Sequence, residues 1–241
     1  MSIQTLRKLD AKGRLSQYAA VAAEYYDANR HPTCRNFRDA SRLFLQTSLD
    51  CNYLDGLTLE VGAGQSLVAE LAECNYVHFE RAVLLDRSIE MLSYSRKFAK
   101  IANLVVGDGR RLPFADSSIS LIVAALGDPY NVEAFWREVS RCLDKGGRCL
   151  FTTPSYSWAQ SFRLPSRTER EGAAYFELAD GQQLYLPSFV RSPAQQEQII
   201  QQAGLEISNV SNLTVDMIPL PLSRKIQNCD SVVTGYVAIK R

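Results

Sequence analysis

The residues best suited to chemistry in this sequence lie where short apolar runs end. The run TLEV, residues 58–61, contains Glu60 and breaks directly into Gly62-Ala63-Gly64. Glycine permits a sharp turn and lets a ligand lie against bare backbone. An apolar run of strand length that ends in Gly-x-Gly therefore predicts the binding site of a nucleotide-type cofactor.

Two further apolar runs end in carboxylates. AVLLD, residues 82–86, closes with Asp86, and NLVVGD, residues 103–108, closes with Asp108 before Gly109. The carboxyl ends of parallel strands share one edge of a sheet, and ligands of open α/β sheets bind at that edge. We therefore expect the glycine turn and both aspartates to converge on one nucleoside, with Asp86 placed to accept hydrogen bonds from the ribose hydroxyls.

The glycine pattern itself argues against a dinucleotide. A G-x-G-x-x-G fingerprint that begins at Gly62 requires its third glycine at position 67, which is Leu67. The sequence therefore favours another nucleoside cofactor over NAD.

The elements that must position these residues alternate between strand and helix. Helices are predicted at 66–75, 88–99 and 131–143, and further strands at 120–126 and 148–154. Ser66 is a candidate cap for the first of these helices and Asn131 for the last, which Lys145-Gly146-Gly147 should end. Alternation of this kind predicts an α/β fold with a parallel sheet and helices on both faces.

The rest of the chain adds a cap, an insertion and two late strands. Helices at 15–28 and 36–49, separated by His31-Pro32, predict an N-terminal helical cap over residues 1–52, with the main domain at 53–241. Residues 155–191 are a predicted insertion, in which AYFEL and QLYLP flank Asp180-Gly181 and form a β-hairpin lid.

After the insertion the alternation resumes. Ser192 as cap, Pro193 in the first turn and Gly204 as stop bracket one more helix. Strands at 205–210 and 231–240 come next and should form an antiparallel pair at the sheet edge. The complete prediction is a Rossmann-like, mostly parallel sheet of seven strands.

These motifs resemble those of class I S-adenosylmethionine-dependent methyltransferases, in particular the methyltransferase type 11-like domains. EVGAGQS resembles the first motif of that family, LLDRS its ribose-binding strand end, and GDGRRLPFADSSISLIVAAL its adenine-binding loop and fourth strand. The likeness spans residues 55–154 and departs from the family at Ser66, where a third glycine is common. It implies S-adenosylmethionine as cofactor, S-adenosylhomocysteine as product, and no metal.

The resemblance also implies a role for the residues at the sheet edge. Gly62, Ala63 and Gly64 would lie beneath the methionine and ribose parts of the cofactor. Glu60 would hold the amino-acid end, directly or through water, and Asp86 would bind the ribose hydroxyls. Arg87 would flank the adenine, and Asp108 would accept a hydrogen bond from the adenine amino group.

The same resemblance extends to two neighbouring segments. Backbone groups of Gly109 or Arg110 would reach the adenine ring, and the segment ALGDPYN places Leu126 beside the cofactor. Asp128 and Tyr130 are the candidate catalytic residues, because a carboxylate can orient or deprotonate an acceptor and a tyrosine face can stabilise a sulfonium. The alternative interpretation is a proline turn that only leads into the next helix.

The predicted function is transfer of a methyl group to a small-molecule acceptor. The alternatives are a methyltransferase acting on RNA or another macromolecule, a catalytically silent cofactor-binding module, or another nucleotide enzyme such as an oxidoreductase. A formal net charge of +1 gives no electrostatic case for a nucleic-acid or membrane partner. The six scattered cysteines and two histidines indicate neither a disulfide framework nor a metal site.

The N-terminal region offers candidates for covering the cofactor. They are Tyr18, Tyr25, Tyr26 and Arg38, although tyrosines at helical spacing also serve for packing. Residues 1–42 carry eight Lys and Arg against four Asp and Glu, which indicates either a solvated face or attraction of an anionic substrate. No secretory signal or membrane-spanning run is recognisable, and we expect a cytoplasmic monomer or homodimer.

Overall fold

The structure, a computed structural model, describes residues 17–49, 53–162 and 172–241. The start of the predicted first helix and the cations before residue 17 lie outside these described residues. The helices are α1 (Gln17–Val21), α2 (Pro32–Ser48), α3 (Leu67–Glu73), α4 (Ile89–Leu92), α5 (Glu133–Cys142), α6 (Tyr156–Phe162) and α7 (Pro193–Gln202). The strands are β1 (Tyr53–Val61), β2 (His78–Asp86), β3 (Asn103–Val106), β4 (Ile119–Ala124), β5 (Leu143–Pro154), β6 (Ala173–Glu177), β7 (Gln183–Pro187), β8 (Glu206–Thr214) and β9 (Ser231–Ile239). Short 3-10 helices cover Ser93–Phe98, Asp128–Tyr130 and Val215–Met217.

The seven-stranded sheet has the order β3-β2-β1-β4-β5-β9-β8. The pairs among β1 to β5 are parallel, whereas β9 runs antiparallel to both β5 and β8. The predicted Rossmann-like sheet and its antiparallel late strands are confirmed. Because β1, β2, β3 and β4 are parallel, their carboxyl ends all open on one edge of the sheet.

Helices cover both faces of this sheet. Successive residues of β4 show the two layers, since Leu121 and Val123 join the cluster built with α2, α3 and α6, whereas Ile122 and Ala124 join the cluster of α5 and α7. A strand buried on both faces reads as a continuous apolar run rather than as an alternation. The central strands were therefore recognisable from the sequence as apolar runs.

The predicted first helix over 15–28 is wrong beyond residue 21, where turns replace it. The reason lies in bonds to the main domain. The Tyr94 hydroxyl donates to the Ala22 carbonyl at 2.6 Å, and the Tyr26 hydroxyl accepts from the Gln65 amide at 2.8 Å. These contacts hold the segment against the glycine turn, so the helix ends early. The helix predicted at 88–99 also changes, into α4 followed by a 3-10 helix.

The predicted capping role of Asn131 is wrong. The α5 N-cap is Val132, and the Asn131 side chain is buried, donating to the Phe189 carbonyl and the Gln196 amide oxygen at 2.8 and 2.7 Å. Its own oxygen accepts from Trp136 Nε1 at 2.9 Å. Long-range partners have therefore replaced the local cap.

Lys145-Gly146-Gly147 does not end α5, contrary to the prediction. The helix ends at Cys142, and the chain enters β5 at Leu143. Gly146 and Gly147 then exchange hydrogen bonds with Lys240 at 2.7 and 3.0 Å. The glycines therefore extend the pairing of β5 with the end of β9.

The hairpin of the insertion and the helix after it match the prediction, whereas α6 at the start of the insertion was not predicted and residues 163–171 lie outside the described residues. β6 and β7 form an antiparallel hairpin around the Asp180-Gly181 turn. Ser192 caps α7 in a capping box with Gln195, and Gly204 lies just beyond the helix at φ +82°. Buried side chains of the hairpin and α1 form a small cluster, comprising Val21, Phe176, Leu178 and Leu186.

Candidate functional site

A cavity of about 1230 Å³ opens at the carboxyl edge of the sheet. Its walls come from the glycine turn, the start of α2, the hairpin, α6 and the loop at 222–225. The structure brings all but one of the predicted site residues to this cavity: Glu60, Gly62, Ala63, Asp86, Arg87, Asp108, Gly109, Arg110, Leu126, Asp128 and Tyr130. The exception is Gly64, which lies beneath Tyr26, so that a Cβ there would meet the Tyr26 hydroxyl oxygen at 2.1 Å.

The glycine turn is tied to the neighbouring strand. Gly62 and Gly64 adopt φ of +67° and +44°, a region that costs other residues free energy. The Ala63 amide donates to the Leu85 carbonyl at 3.0 Å, and the Gly64 amide donates to Asp86 Oδ2 at 2.9 Å. The turn is therefore held directly beside the carboxylate that the sequence assigned to a ribose.

Asp86 accepts hydrogen bonds from the backbone amides of Gly64, Arg87 and Ser88. Besides the bond from Gly64, its Oδ1 accepts from the Ser88 amide at 2.8 Å. A carboxylate has about four lone-pair sites, so Asp86 retains acceptor capacity beside these backbone donors. Burial raises the pKa of Asp86 to about 6, which these backbone donors only partly oppose.

Glu60 is buried behind the turn, at the N-terminus of α3. It accepts from the Ser66 hydroxyl and from the Leu67 amide at 3.1 Å. Ser66 also caps the helix, since its hydroxyl accepts from the Ala69 amide at 2.9 Å. Burial raises the pKa of Glu60 to about 7 against these donors. The carboxyl group thus fixes the start of α3 to the end of β1.

Asp108 has charged neighbours at the more exposed end of the edge. Arg110 contacts it through Nε at 3.0 Å and Nη2 at 2.6 Å, and Arg87 Nε lies 3.9 Å away. Partial burial acts to raise the pKa of Asp108, but the hydrogen bonds from Arg110 outweigh it and hold the pKa below its ordinary value. A ligand amino group would therefore share this carboxylate with Arg110.

The Tyr130 side chain packs against the glycine turn at Gly62 and the end of β1. Its hydroxyl donates to the Val61 carbonyl at 2.6 Å, and a Cβ on Gly62 would lie 2.7 Å from that hydroxyl oxygen. Burial raises the pKa of Tyr130 well above its ordinary value, so the hydroxyl stays a donor. The ring packs edge-on against Phe135 with centroids 4.9 Å apart.

Asp128 is buried and bonded to the insertion. Its carboxylate accepts from the Ser188 hydroxyl, and its carbonyl accepts from the Phe189 amide at 2.8 Å. Sequence reasoning did not assign Ser188 to the site, because no local pattern pairs two residues 60 positions apart. The residues directly after β7 are thereby hydrogen-bonded to the segment that carries Asp128 and Tyr130, the two candidate catalytic residues.

The four N-terminal candidates all line the cavity. Arg38 lies 5.5 Å from the centroid of the Tyr26 ring and pairs with Glu70 at 2.8 Å. Tyr25 stacks on Phe176 of the hairpin at 5.8 Å, and Tyr18 contacts the Pro187 carbonyl at 3.5 Å. The tyrosines thus serve for packing and also form part of the cavity wall.

The described residues, 17–49, 53–162 and 172–241, contain neither a cluster of metal ligands nor a membrane-spanning helix. Within these ranges no group of three or more His, Cys, Asp or Glu side chains could hold a metal ion. No helix within the same ranges combines the length and apolar character needed to cross a membrane.

Comparison with known proteins identifies the central part of the chain. Residues 59–151 match the family described as "Methyltransferase domain". A search of curated proteins finds no match to this chain. The family match covers the glycine turn, Asp86, Asp108 and the segment with Asp128 and Tyr130.

Solved structures share the fold at low identity. The DhpI–SAM–HEP complex is 20% identical over 93% of this chain and 94% of its own, with a TM-score of 0.66. A Haloferax volcanii protein described as a methyltransferase, solved with the Trm112 methyltransferase activator, is 16% identical over 93% and 97%, with a TM-score of 0.66. A Listeria monocytogenes protein described as an S-adenosylmethionine-dependent methyltransferase is 13% identical over 85% and 99%, with a TM-score of 0.65.

Proposed function

Because residues 59–151 are a domain of the methyltransferase family within a class I S-adenosylmethionine-dependent methyltransferase fold, we propose that this protein transfers the methyl group of S-adenosylmethionine to a small-molecule acceptor. The observation that carries the proposal is the bond from the Gly64 amide to Asp86, whose side chain lines the cavity. It joins the backbone turn suited to a methionine and ribose to the carboxylate suited to ribose hydroxyls.

The residues present fit this cofactor. Gly62 and Ala63 line the cavity, and the Asp86 carboxylate on the same wall keeps acceptor capacity beside its backbone bonds. Asp108 and Gly109 lie at the end of the same edge, where an adenine would follow a ribose. The bound cofactor supplies a methyl group that its sulfonium already activates, so the chain's residues bind, align and exclude water.

Each of these residues has a separate proposed role. Asp86 accepts from the ribose hydroxyls, and Asp108 accepts from the adenine amino group in a contact shared with Arg110. Arg87 flanks the adenine ring. Glu60 acts on the amino-acid end indirectly, since its carboxyl group accepts hydrogen bonds from Ser66 and Leu67 and thereby fixes the loop after the glycine turn.

The acceptor side involves the segment after β4. Leu126 has φ +52°, and its amide donates to the Thr152 hydroxyl at 2.8 Å, which turns the segment toward the cavity. Asp128 is the proposed general base for acceptors that must lose a proton, with Ser188 orienting its carboxylate. Tyr130 is the proposed positioning residue, because its bond to Val61 fixes the ring against Gly62.

The contacts between the cap and the hairpin favour a small acceptor. Tyr25 stacks on Phe176, and the Ala179 amide donates to Glu24 Oε1 at 3.0 Å. These contacts join the two walls beside the cavity and narrow the access that a folded macromolecule would need. An RNA acceptor is the second candidate, and the experiment below separates the two.

The test is transfer of label from S-adenosylmethionine carrying a radioactive methyl group. One reaction contains a metabolite extract and the other contains RNA, and the products are separated by size. We expect label in the small-molecule fraction and its loss in Asp86→Ala, whereas Asp116→Ala, an exposed aspartate at the distant Arg141 pair, should keep full activity. Label in RNA alone would favour the second candidate.

Two further outcomes would contradict the proposal. Binding of S-adenosylhomocysteine without transfer to either pool would indicate a silent module. Binding of NAD in place of S-adenosylhomocysteine would indicate an oxidoreductase.

A further inference from the structure

The cavity extends beyond the edge that the cofactor would occupy. Typical small-molecule pockets have volumes of roughly 300–1,000 Å³, and this one reaches about 1230 Å³. Its far end is formed by the start of α2, by Trp158 and Phe162 of α6, and by the loop at 222–225. The cavity therefore has room for a second ligand beside a nucleoside.

At the far end of the cavity, hydrogen bonds join α2 to the loop at 222–225 and to Pro221 just before it. The Asn36 side chain accepts from the Ser223 amide at 2.8 Å and donates to the Pro221 carbonyl at 3.2 Å. Thr33 and Ser223 share a hydroxyl–hydroxyl bond of 2.6 Å, and Trp158 Nε1 donates to the Lys225 carbonyl at 2.9 Å. Because these contacts fix the loop, the residues next to Ser223 lie on the same wall as the first turns of α2.

Arg35 on this wall is incompletely satisfied. Its side chain is 25% exposed, and one of its terminal nitrogens donates to the Pro221 carbonyl. Its Nε is buried without a hydrogen-bond partner among the described residues. Asp39 Oδ2 lies 3.9 Å from that nitrogen, which is too far for a hydrogen bond. Because the Nε is buried, an oxyanion entering the cavity would contact Arg35 through the exposed quarter of its side chain.

Three other arginines of the cavity wall have carboxylate partners at shorter distances than the 3.9 Å between Arg35 and Asp39. Arg30 pairs with Glu24 at 2.8 Å, and Arg38 and Arg42 both pair with Glu70, at 2.8 and 3.0 Å. On the loop, Arg224 and Lys225 are exposed and line the cavity, and no carboxylate pairs with them in the part of the chain that the structure describes. Among the described residues of this wall, positive charge therefore exceeds negative charge.

We propose that Arg35, Arg224 and Lys225 form a basic end that binds an anionic group of the methyl acceptor, a phosphate, phosphonate or carboxylate. Phe37, Trp158 and Leu222 would contact the apolar part of the same molecule. A planar guanidinium binds such oxyanions through paired hydrogen bonds, and the two loop cations add charge without requiring fixed geometry. This inference rests on the proposed function, since it describes the substrate of the same cavity.

The carboxylate of the cofactor itself is the competing anion, and the geometry assigns it to Arg38 instead. Arg38 donates to the Gln65 carbonyl, directly beside the glycine turn, whereas Arg35 contacts Pro221 in the far loop. The two arginines can therefore be separated by experiment. A change at Arg38 should affect the cofactor, and a change at Arg35 should affect only the acceptor.

The experiment is calorimetric titration of the full chain, saturated with S-adenosylhomocysteine, with inorganic phosphate, methylphosphonate and acetate at constant ionic strength. We expect saturable binding of at least one of these anions, and the strongest binder identifies the chemical class. Arg35→Gln should weaken that binding about tenfold or more, and Arg224→Gln should weaken it several-fold. The control is Arg137→Gln, which removes an exposed cation paired with Glu133 on α5 and should change nothing.

The outcomes separate this inference from the function on which it rests. Absence of saturable binding by all three anions would overturn the basic end. Equal loss of S-adenosylhomocysteine affinity in Arg35→Gln would also overturn it, because the arginine would then serve the cofactor. If Arg35→Gln fails to fold, as judged by thermal denaturation, the exposed Arg224→Gln decides alone. Anion binding to a protein that does not bind S-adenosylhomocysteine would refute the methyltransferase function and retain the anion site.

Discussion

Replacing Asp86 by alanine should weaken the binding of S-adenosylhomocysteine by about two to four orders of magnitude. The proposed ribose contact consists of two hydroxyls that donate to an ionised carboxylate, and each such bond contributes about 1.5–3 kcal/mol. Two of them contribute about 3–6 kcal/mol, and every 1.4 kcal/mol is about tenfold in the dissociation constant. Calorimetric titration of wild type and variant measures the ratio directly.

The same substitution also removes the acceptor of the Gly64 and Ser88 amides, so a weaker affinity alone does not identify the ribose. A ligand that lacks the ribose hydroxyls separates the two effects in a double-mutant cycle. The dideoxyribose analogue of S-adenosylhomocysteine should bind wild type and Asp86→Ala with nearly the same affinity. Asp116→Ala, far from the cavity, should bind both ligands as wild type does.

Two results would refute this reasoning. If Asp86→Ala binds S-adenosylhomocysteine with unchanged affinity, the ribose assignment is wrong. If the variant loses equal affinity for the natural and the dideoxyribose ligand, Asp86 acts only by holding the glycine turn.

Three other predictions test the surroundings of this carboxylate. Burial raises the pKa of Asp86 to about 6, and hydroxyl donors favour its ionised form, so affinity for S-adenosylhomocysteine should fall as the pH drops below about 6, by up to about tenfold per pH unit. Binding titrations from pH 5 to 8 should show no such slope in Asp86→Ala. A flat wild-type profile would contradict this prediction. Gly62→Ala should greatly weaken cofactor binding, because its Cβ would lie 2.7 Å from the Tyr130 hydroxyl oxygen and would displace either Tyr130 or the turn. Gly146→Ala shares a positive φ but meets nothing within 4 Å, and it should only lower the unfolding free energy, by about 1–2 kcal/mol. Equal binding by both variants would mean that cofactor affinity does not depend on the conformation of the turn. Ser66→Ala should lower the free energy of unfolding, measured in urea, by about 2–4 kcal/mol, because it removes both a helix cap and a hydrogen-bond donor to the buried Glu60. Ser192→Ala removes a helix cap alone and should lower it by about 1 kcal/mol. Similar losses in the two variants would mean that the bond to Glu60 contributes little.

The parts of the fold that sequence predicts well depend on local patterns. Buried parallel strands appear as apolar runs, so β1, β2, β4 and the positions of their carboxyl ends were predictable. The Asp180-Gly181 turn and the Ser192 cap are likewise decided within a few residues. Because the strand ends were predictable, so was the convergence of Gly62, Asp86 and Asp108 on one cavity.

The parts that sequence misses depend on partners far apart in the chain. Asn131 has the residue type of a helix cap, but buried bonds to Gln196 and Phe189, more than 50 positions away, take its side chain. The bond between Asp128 and Ser188 and the contact of Arg35 with Pro221 span 60 and 186 positions. No periodicity reports such pairs, so Asp128 and Tyr130 were predictable at the cavity, whereas the distant partners that hold this side of it were not.

The most direct test of the central claim is a crystal structure of the protein with S-adenosylhomocysteine. We predict that the ribose hydroxyls lie within hydrogen-bond distance of the Asp86 carboxylate, that the homocysteine part crosses the Gly62–Gly64 turn, and that the sulfur faces the segment with Leu126 and Asp128. A ligand bound elsewhere, or at this edge with its ribose away from Asp86, would contradict the account.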